Sequence, residues 1–250
     1  MQRSSFNCSG YDKIAGNLIL HMKHFKIWLI ILPVLGGAWI WPQRLPLCFL
    51  IGDSISVHYR PYLEKFLEGQ VRIERKNGDE EALKNLDIPA GASGGDSRMV
   101  LDFLEAKIKD PSFRPDFFLF NFGLHDIKRN PSNGDLQVPP DQYEANLKKV
   151  ISLLKSKNIK PVWIRTTPVM DSLHNSRQPS FRRYAKDLEI YNRVADQTCK
   201  SEHVPVIDLY SFTVKHIPRH YIDHVHFDEE TRALQAAFLA GALLGLMADK

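Results

Sequence analysis

From Leu45 to the end of the chain, short apolar runs alternate with amphipathic segments. No other feature of the sequence narrows the fold as far. "LCFLIG" (47–52), "DFFLFNFG" (116–123), "PVWIRTTP" (161–168) and "VPVIDL" (204–209) read as strands. Continuous apolar runs of this length suit strands covered on both faces. "VRIER" (71–75) reads as a more exposed strand. Between the strands, helical spacing predicts helices over 59–69, 97–108, 140–158, 184–202 and 228–247. Strictly alternating strands and helices build parallel βαβ units with right-handed crossovers. The expected fold class is therefore α/β: a five-stranded parallel sheet in a three-layer α/β/α sandwich, flavodoxin-like in layout.

A chain of 250 residues suffices for one sizeable domain, placed here over 45–250. The net charge of +4 is spread along the sequence. It forms no concentrated basic stripe, which argues against a nucleic-acid partner. Three cysteines, Cys8, Cys48 and Cys199, are too few and too scattered for a disulfide framework or a zinc ribbon. The last two are expected to be small core residues.

The first 44 residues differ in kind. Lys23 and Lys26 precede an apolar run over 27–42, and "GGA" (36–38) offers small residues for cleavage. That is the pattern of a signal peptide or of an uncleaved membrane anchor. The expected location is accordingly exported, either secreted or periplasmic, or membrane-anchored through residues 27–42.

In parallel sheets, ligands bind beyond the carboxyl ends of the strands, so the residues just after each strand are the candidates for chemistry. These are Gly52-Asp53-Ser54, the Gly-rich "AGASGGDS" (90–97), "GLHD" (123–126), "TTPV" (166–169) and "YIDHVHFDEE" (221–230). A serine at a helix start has unpaired backbone N–H groups beside it, which favour developing negative charge. Asp223 and His226 are three apart, a spacing that lets a carboxylate in a turn reach the same imidazole. Together these are the parts of a nucleophilic acyl-transfer site, with Ser54 as nucleophile, and such a site needs no cofactor. A metal reading of His220, His224, His226 and Asp228 competes, but His224 and His226 would point apart in extended backbone. His58, four residues beyond Ser54, reads as a surface histidine. Two loops, 127–141 and 169–183, are expected at the rim. Their Lys128, Arg129, Arg177, Arg182 and Arg183 would make that rim basic and suited to an anionic substrate.

With these residues on the page, the sequence resembles the GDSL/SGNH hydrolase superfamily over about Leu45 to Leu246. "FLIGDSIS" resembles its first block, "SGGDS" its second, "NFGLHD" its third and "DHVHF" its fifth. The resemblance implies the SGNH hydrolase fold. It also implies Ser54, Asp223 and His226 as catalytic triad, and an oxyanion hole from Ser54, Gly95 and the third-block residue. That residue is usually Asn; here it is His125, which marks a divergent branch. Asn121, four residues earlier and inside the strand, is not expected to reach the same place. The activity implied is ester hydrolysis through an acyl-enzyme, on a small-molecule or glycan ester, with a carbohydrate O-acetyl group as first expectation. An O-acyltransferase or a lysophospholipase-type esterase with the same triad are alternatives. So is a catalytically silent glycan- or lipid-binding module.

Overall fold

The computed structural model describes residues 44–216 and 221–248. The expected leader over 27–42, together with Cys8 and His220, lies outside the described residues.

Five strands form one parallel sheet: β1 (Leu47–Ile51), β2 (Arg72–Arg75), β3 (Phe117–Phe120), β4 (Lys160–Ile164) and β5 (Val206–Ile207). Their spatial order is β2-β1-β3-β4-β5, and every pairing is parallel. The order reverses direction between β1 and β3, so the crevice that such a reversal opens lies beyond those two strand ends. β1 and β3 are buried along their whole length, as their unbroken apolar sequences require. β2 at the edge alternates exposed and half-buried residues.

Helices α1 (Ser54–Phe66), α7 (Leu209–His216) and α8 (Glu229–Ala248) pack on one another; α3 (Ser97–Lys107), α4 (Pro140–Ser156) and α6 (Ala185–Ser201) form a second group. The core between layers is rich in aromatic contacts. Phe120 and Phe122 both meet Trp163 edge-on, with ring centroids 5.2 and 5.0 Å apart. Cys48 and Cys199 are buried as expected, and burial pushes both thiols up to about 12, which leaves them inert.

The structure differs from the sequence reading at helix ends and in short elements. α1 begins at Ser54, not at 59, because the Asp53 carboxylate accepts from Ile55 N–H and caps it. Pro61 sits inside this helix. β5 contains two residues of the six expected. Three short helices, α2 (Asp79–Lys84), α5 (Asp171–Arg177) and α7, fall in stretches read as loops or left unassigned. α8 alone among the described helices is long and apolar enough to cross a membrane. Its Ala236, Leu239, Ala240 and Leu243 are buried, and it packs on α1.

Candidate active site

Ser54 is the first residue of α1, immediately beyond the carboxyl end of β1. Its backbone is fixed at the helix start: Asp53 caps the helix, and Ser56 Oγ donates to Asp53 O at 2.7 Å within the first turn. Gly52 is required there for a packing reason. A Cβ at 52 would lie 2.1 Å from the Asn121 amide oxygen. Asn121 thus covers the strand end from beneath.

On the opposite wall, residues 221–227 form a tight loop closed by the Tyr221–Phe227 bridge and by Ile222 N–H donating to His226 O at 2.9 Å. Inside it, Asp223 Oδ1 accepts from the backbone N–H groups of Val225 and His226, both at 2.8 Å. Asp223 Oδ2 lies 2.6 Å from His226 Nδ1, and His226 Nε2 lies 2.7 Å from Ser54 Oγ. Ser54, His226 and Asp223 therefore stand in one hydrogen-bonded line, although 172 residues separate the first two. Burial alone would raise the Asp223 carboxyl, but the imidazole and the two backbone donors outweigh it and hold the group well below the carboxylate range. Asp223 is thus an anion at neutral pH, able to fix the proton on His226 Nδ1 and leave Nε2 to accept from the serine.

The Gly-rich loop is tied to the same strand end by Gly94 N–H, which donates to Gly52 O at 2.7 Å. The next residue, Gly95, has φ +74°, and a Cβ there would meet Met99 Sδ at 2.5 Å and Pro89 Cβ at 3.0 Å. Backbone conformation and space both exclude a side chain. Asp96 then caps α3 by accepting from Arg98 and Met99 N–H. Among the described residues, neither Ser54 N–H nor Gly95 N–H donates to a protein acceptor.

His125 follows β3 and is buried, with Nδ1 lacking a partner. Burial, reinforced by the Lys128 and Arg183 cations, holds it well below the ordinary imidazole value, so it is neutral. Asn121 is buried beside Gly52.

Two expectations are corrected. His58 is not a surface residue: its ring stands edge-on to His226 at 5.3 Å, and its Nδ1 is buried. Burial and nearby Arg232 bring it down to about 4, so it too is neutral. The signal was present, since Ser54 and His58 share a helix face at i, i+4. Among the described residues no group of three metal-binding side chains occurs. His224 packs instead on His174, 4.4 Å between centroids. The basic rim is largely consumed internally. Arg183 is buried and donates to Leu124 O at 2.7 Å, Lys128 donates to Asp87 O at 2.7 Å, and Arg129 forks onto Asp187 at 2.6 and 2.9 Å. Of the five cations, Arg177 is the one left exposed.

Asp87 was invisible to sequence reasoning because nothing near "NLDIPAG" carries a motif. Its carboxylate receives Gln178 Nε2 at 2.8 Å, faces Arg183 at 3.4 Å, and has His224 Nε2 at 3.7 Å, an electrostatic contact too long for a hydrogen bond. Despite burial, these groups hold it far below the usual carboxylate range. It joins the loops that follow β2, β3 and β4 to the His226 loop.

The fold and this line of groups define an α/β enzyme of the ester-hydrolysing kind, with its chemistry at the carboxyl edge of a parallel sheet. Residues 50–234 match the model of the GDSL-like lipase/acylhydrolase family, and the chain belongs to that family. Its structure is similar to that of the lipase/acylhydrolase from Enterococcus faecalis, with TM-score 0.61, 18% identity, and coverage of 80% of this chain and 96% of that one. It is also similar to the acetyl xylan esterase AlAXEase, with TM-score 0.58, 18% identity, and coverage of 79% and 99%. The acetylxylan esterase Axe2 of Geobacillus stearothermophilus gives 0.54, 18%, 80% and 93%. At such identities these likenesses speak to fold. No curated protein matches the chain in sequence.

Proposed function

We propose that the chain is a serine ester hydrolase in which Ser54 attacks the ester carbonyl, His226 is general base and then general acid, and Asp223 orients and stabilises the imidazolium. The observation that carries this reading is the Ser54 Oγ–His226 Nε2–Nδ1–Asp223 line, with spacings of 2.7 and 2.6 Å. The Ser54 proton passes to His226 Nε2 as the Oγ–C bond forms. The resulting oxyanion is received by the N–H groups of Ser54 and Gly95 and by His125. Collapse of the tetrahedral species expels the alcohol, which takes the proton from His226. Water, deprotonated by His226, then releases the acid and restores Ser54.

His125 suits the donor role despite replacing an amide. Neutral imidazole has one N–H. Since Nδ1 is buried without a partner, the tautomer protonated at Nε2 avoids burying an unsatisfied N–H. Small acyl groups on carbohydrate alcohols are the substrates we favour. The acetyl xylan esterases among the structural neighbours are consistent with that choice. Export or anchoring through residues 27–42 is part of the same proposal and rests on the sequence pattern alone.

The test is hydrolysis of p-nitrophenyl esters from C2 to C12 by the full chain and by Ser54→Ala. The expected result is activity on the shortest chains, reduced at least about 10³-fold in the variant. Undiminished hydrolysis by Ser54→Ala would refute the assignment.

A further inference from the structure

The His226 ring is held at its nitrogens by two hydrogen bonds, and one of them is temporary. While Ser54 is free, the ring is fixed between Ser54 Oγ at 2.7 Å and Asp223 Oδ2 at 2.6 Å. On the serine esterase reading, acylation turns Ser54 Oγ into an ester oxygen with no proton to give. From then until water has attacked, Asp223 is the protein hydrogen-bond partner that remains to the imidazole. What else keeps Nε2 aimed at the acyl carbon must be packing.

Two rings supply it. The His224 centroid lies 6.3 Å from that of His226, and the His58 centroid lies 5.3 Å away with the planes at 67°. His58, the nearer, is carried by the same helix as the nucleophile. Ser54, His58 and Tyr62 recur at i, i+4 and i+8, one stripe of α1. Each meets the segment that carries the general base. Ser54 reaches His226 Nε2, His58 stands against the His226 ring, and Tyr62 Oη donates to Glu229 Oε1 at 2.7 Å at the start of α8. Arg232 Nε donates back to Phe227 O at 2.7 Å, on the residue that follows His226. His58 is thus the middle contact of a joint fixed above and below it.

The contribution of His58 is contact rather than hydrogen bonding. Its Nδ1 is buried without a partner, and among the described residues no side-chain hydrogen bond engages the imidazole. A cation at this place would oppose the imidazolium that forms on His226. Burial and the Arg232 guanidinium keep His58 uncharged, against the weaker pull of Asp223.

We infer that His58 is a positioning residue for deacylation, its ring keeping His226 Nε2 directed at the acyl carbon once Ser54 is no longer a hydrogen-bond donor. In that step water gives a proton to His226 Nε2 as its oxygen bonds to the acyl carbon. The C–Oγ bond then breaks, and Ser54 Oγ takes the proton back from His226. The inference rests on the serine esterase reading and adds to it a residue that serves the second half of the cycle.

The test is rapid mixing of the full chain with p-nitrophenyl acetate. p-Nitrophenol release gives acylation, and acid quenching with intact mass gives the amount of acetyl-enzyme. His58→Ala is expected to slow deacylation by about 10- to 100-fold and acylation by less than about threefold. Acetyl-Ser54 then accumulates, and kcat and KM fall together. His58→Phe restores a flat ring and should keep both steps within about threefold of wild type. Should the alanine variant fail to fold, His58→Asn carries the same expectation. Equal slowing of both steps, no change in either, or a phenylalanine variant as impaired as alanine would overturn the inference and leave the Ser54 assignment standing. A wild-type chain that forms no acetyl-Ser54 and releases no p-nitrophenol would instead strike the esterase reading, and the inference with it.

Discussion

A serine hydroxyl is a weak nucleophile, so its neighbours decide whether it reacts. Ser54 has an imidazole nitrogen at 2.7 Å, and that imidazole has a carboxylate behind it at 2.6 Å. Replacing Asp223 by Asn would keep the size and lose the anion that stabilises imidazolium. We expect Asp223→Asn to lower kcat by about 10³- to 10⁴-fold with little change in KM, measured on p-nitrophenyl acetate. A second residue-scale prediction concerns Asp126, fully buried, which receives Ser97 N–H at 2.9 Å and leaves Oδ2 unpartnered. Burial raises its carboxyl to about 7, well above the ordinary carboxylate value. The sign follows: a carboxyl raised on folding stabilises the fold fully below pH 4, and that contribution drains away as pH climbs from about 4 to 7. Asp126→Asn keeps an acceptor for Ser97 and cannot ionise. Its Tm should exceed wild type at pH 8 and approach it at pH 5, with roughly 2–4 °C for each kcal/mol recovered. A variant equally shifted at both values would contradict the assignment.

At the scale of elements, the site depends on how strands end. Gly95 combines φ +74° with a Met99 sulfur and a Pro89 Cβ against any side chain. Gly95→Ala is expected to destabilise by about 1–3 kcal/mol in urea unfolding and to lower kcat, since the displaced backbone carries the N–H we propose as an oxyanion donor. Much of this was legible in the sequence. The long amphipathic pattern of α4 and the apolar runs of β1, β3 and β4 can be read directly, because burial on one or both faces fixes residue type. So can Ser54, Asp223 and His226, because chemistry fixes their identity. What could not be read depends on contacts between distant segments. Asp87 is an unremarkable loop acid until Arg183 and Gln178, about ninety positions later, fold onto it. Lys128 and Arg183 look like rim charges because sequence gives charge and says nothing of burial. The short α2, α5 and α7 lack the repeated apolar spacing that announces a longer helix.

For the molecule as a whole, a parallel sheet has two unlike edges. Ser54, Gly95 and His125 lie at the carboxyl edge, just beyond strand ends or tied to one. Arg44 lies at the other, where its guanidinium meets Asp116 at 2.9 Å just before β3. A surface hollow of about 660 Å3 is also there, lined by Arg44, Asp110, Arg114, Asp116 and Lys160 among others. Size therefore does not locate the chemistry in this molecule; the convergence of strand ends does. The most direct measurement is covalent labelling. The full chain and its Ser54→Ala variant would be treated with a serine-directed fluorophosphonate, weighed intact, and mapped by peptide mass. We predict one adduct per wild-type chain, on Ser54, with loss of ester hydrolysis in proportion, and none in the variant. Ester hydrolysis that persists while Ser54 stays unlabelled, or an adduct on another residue that abolishes activity, would contradict the site described here.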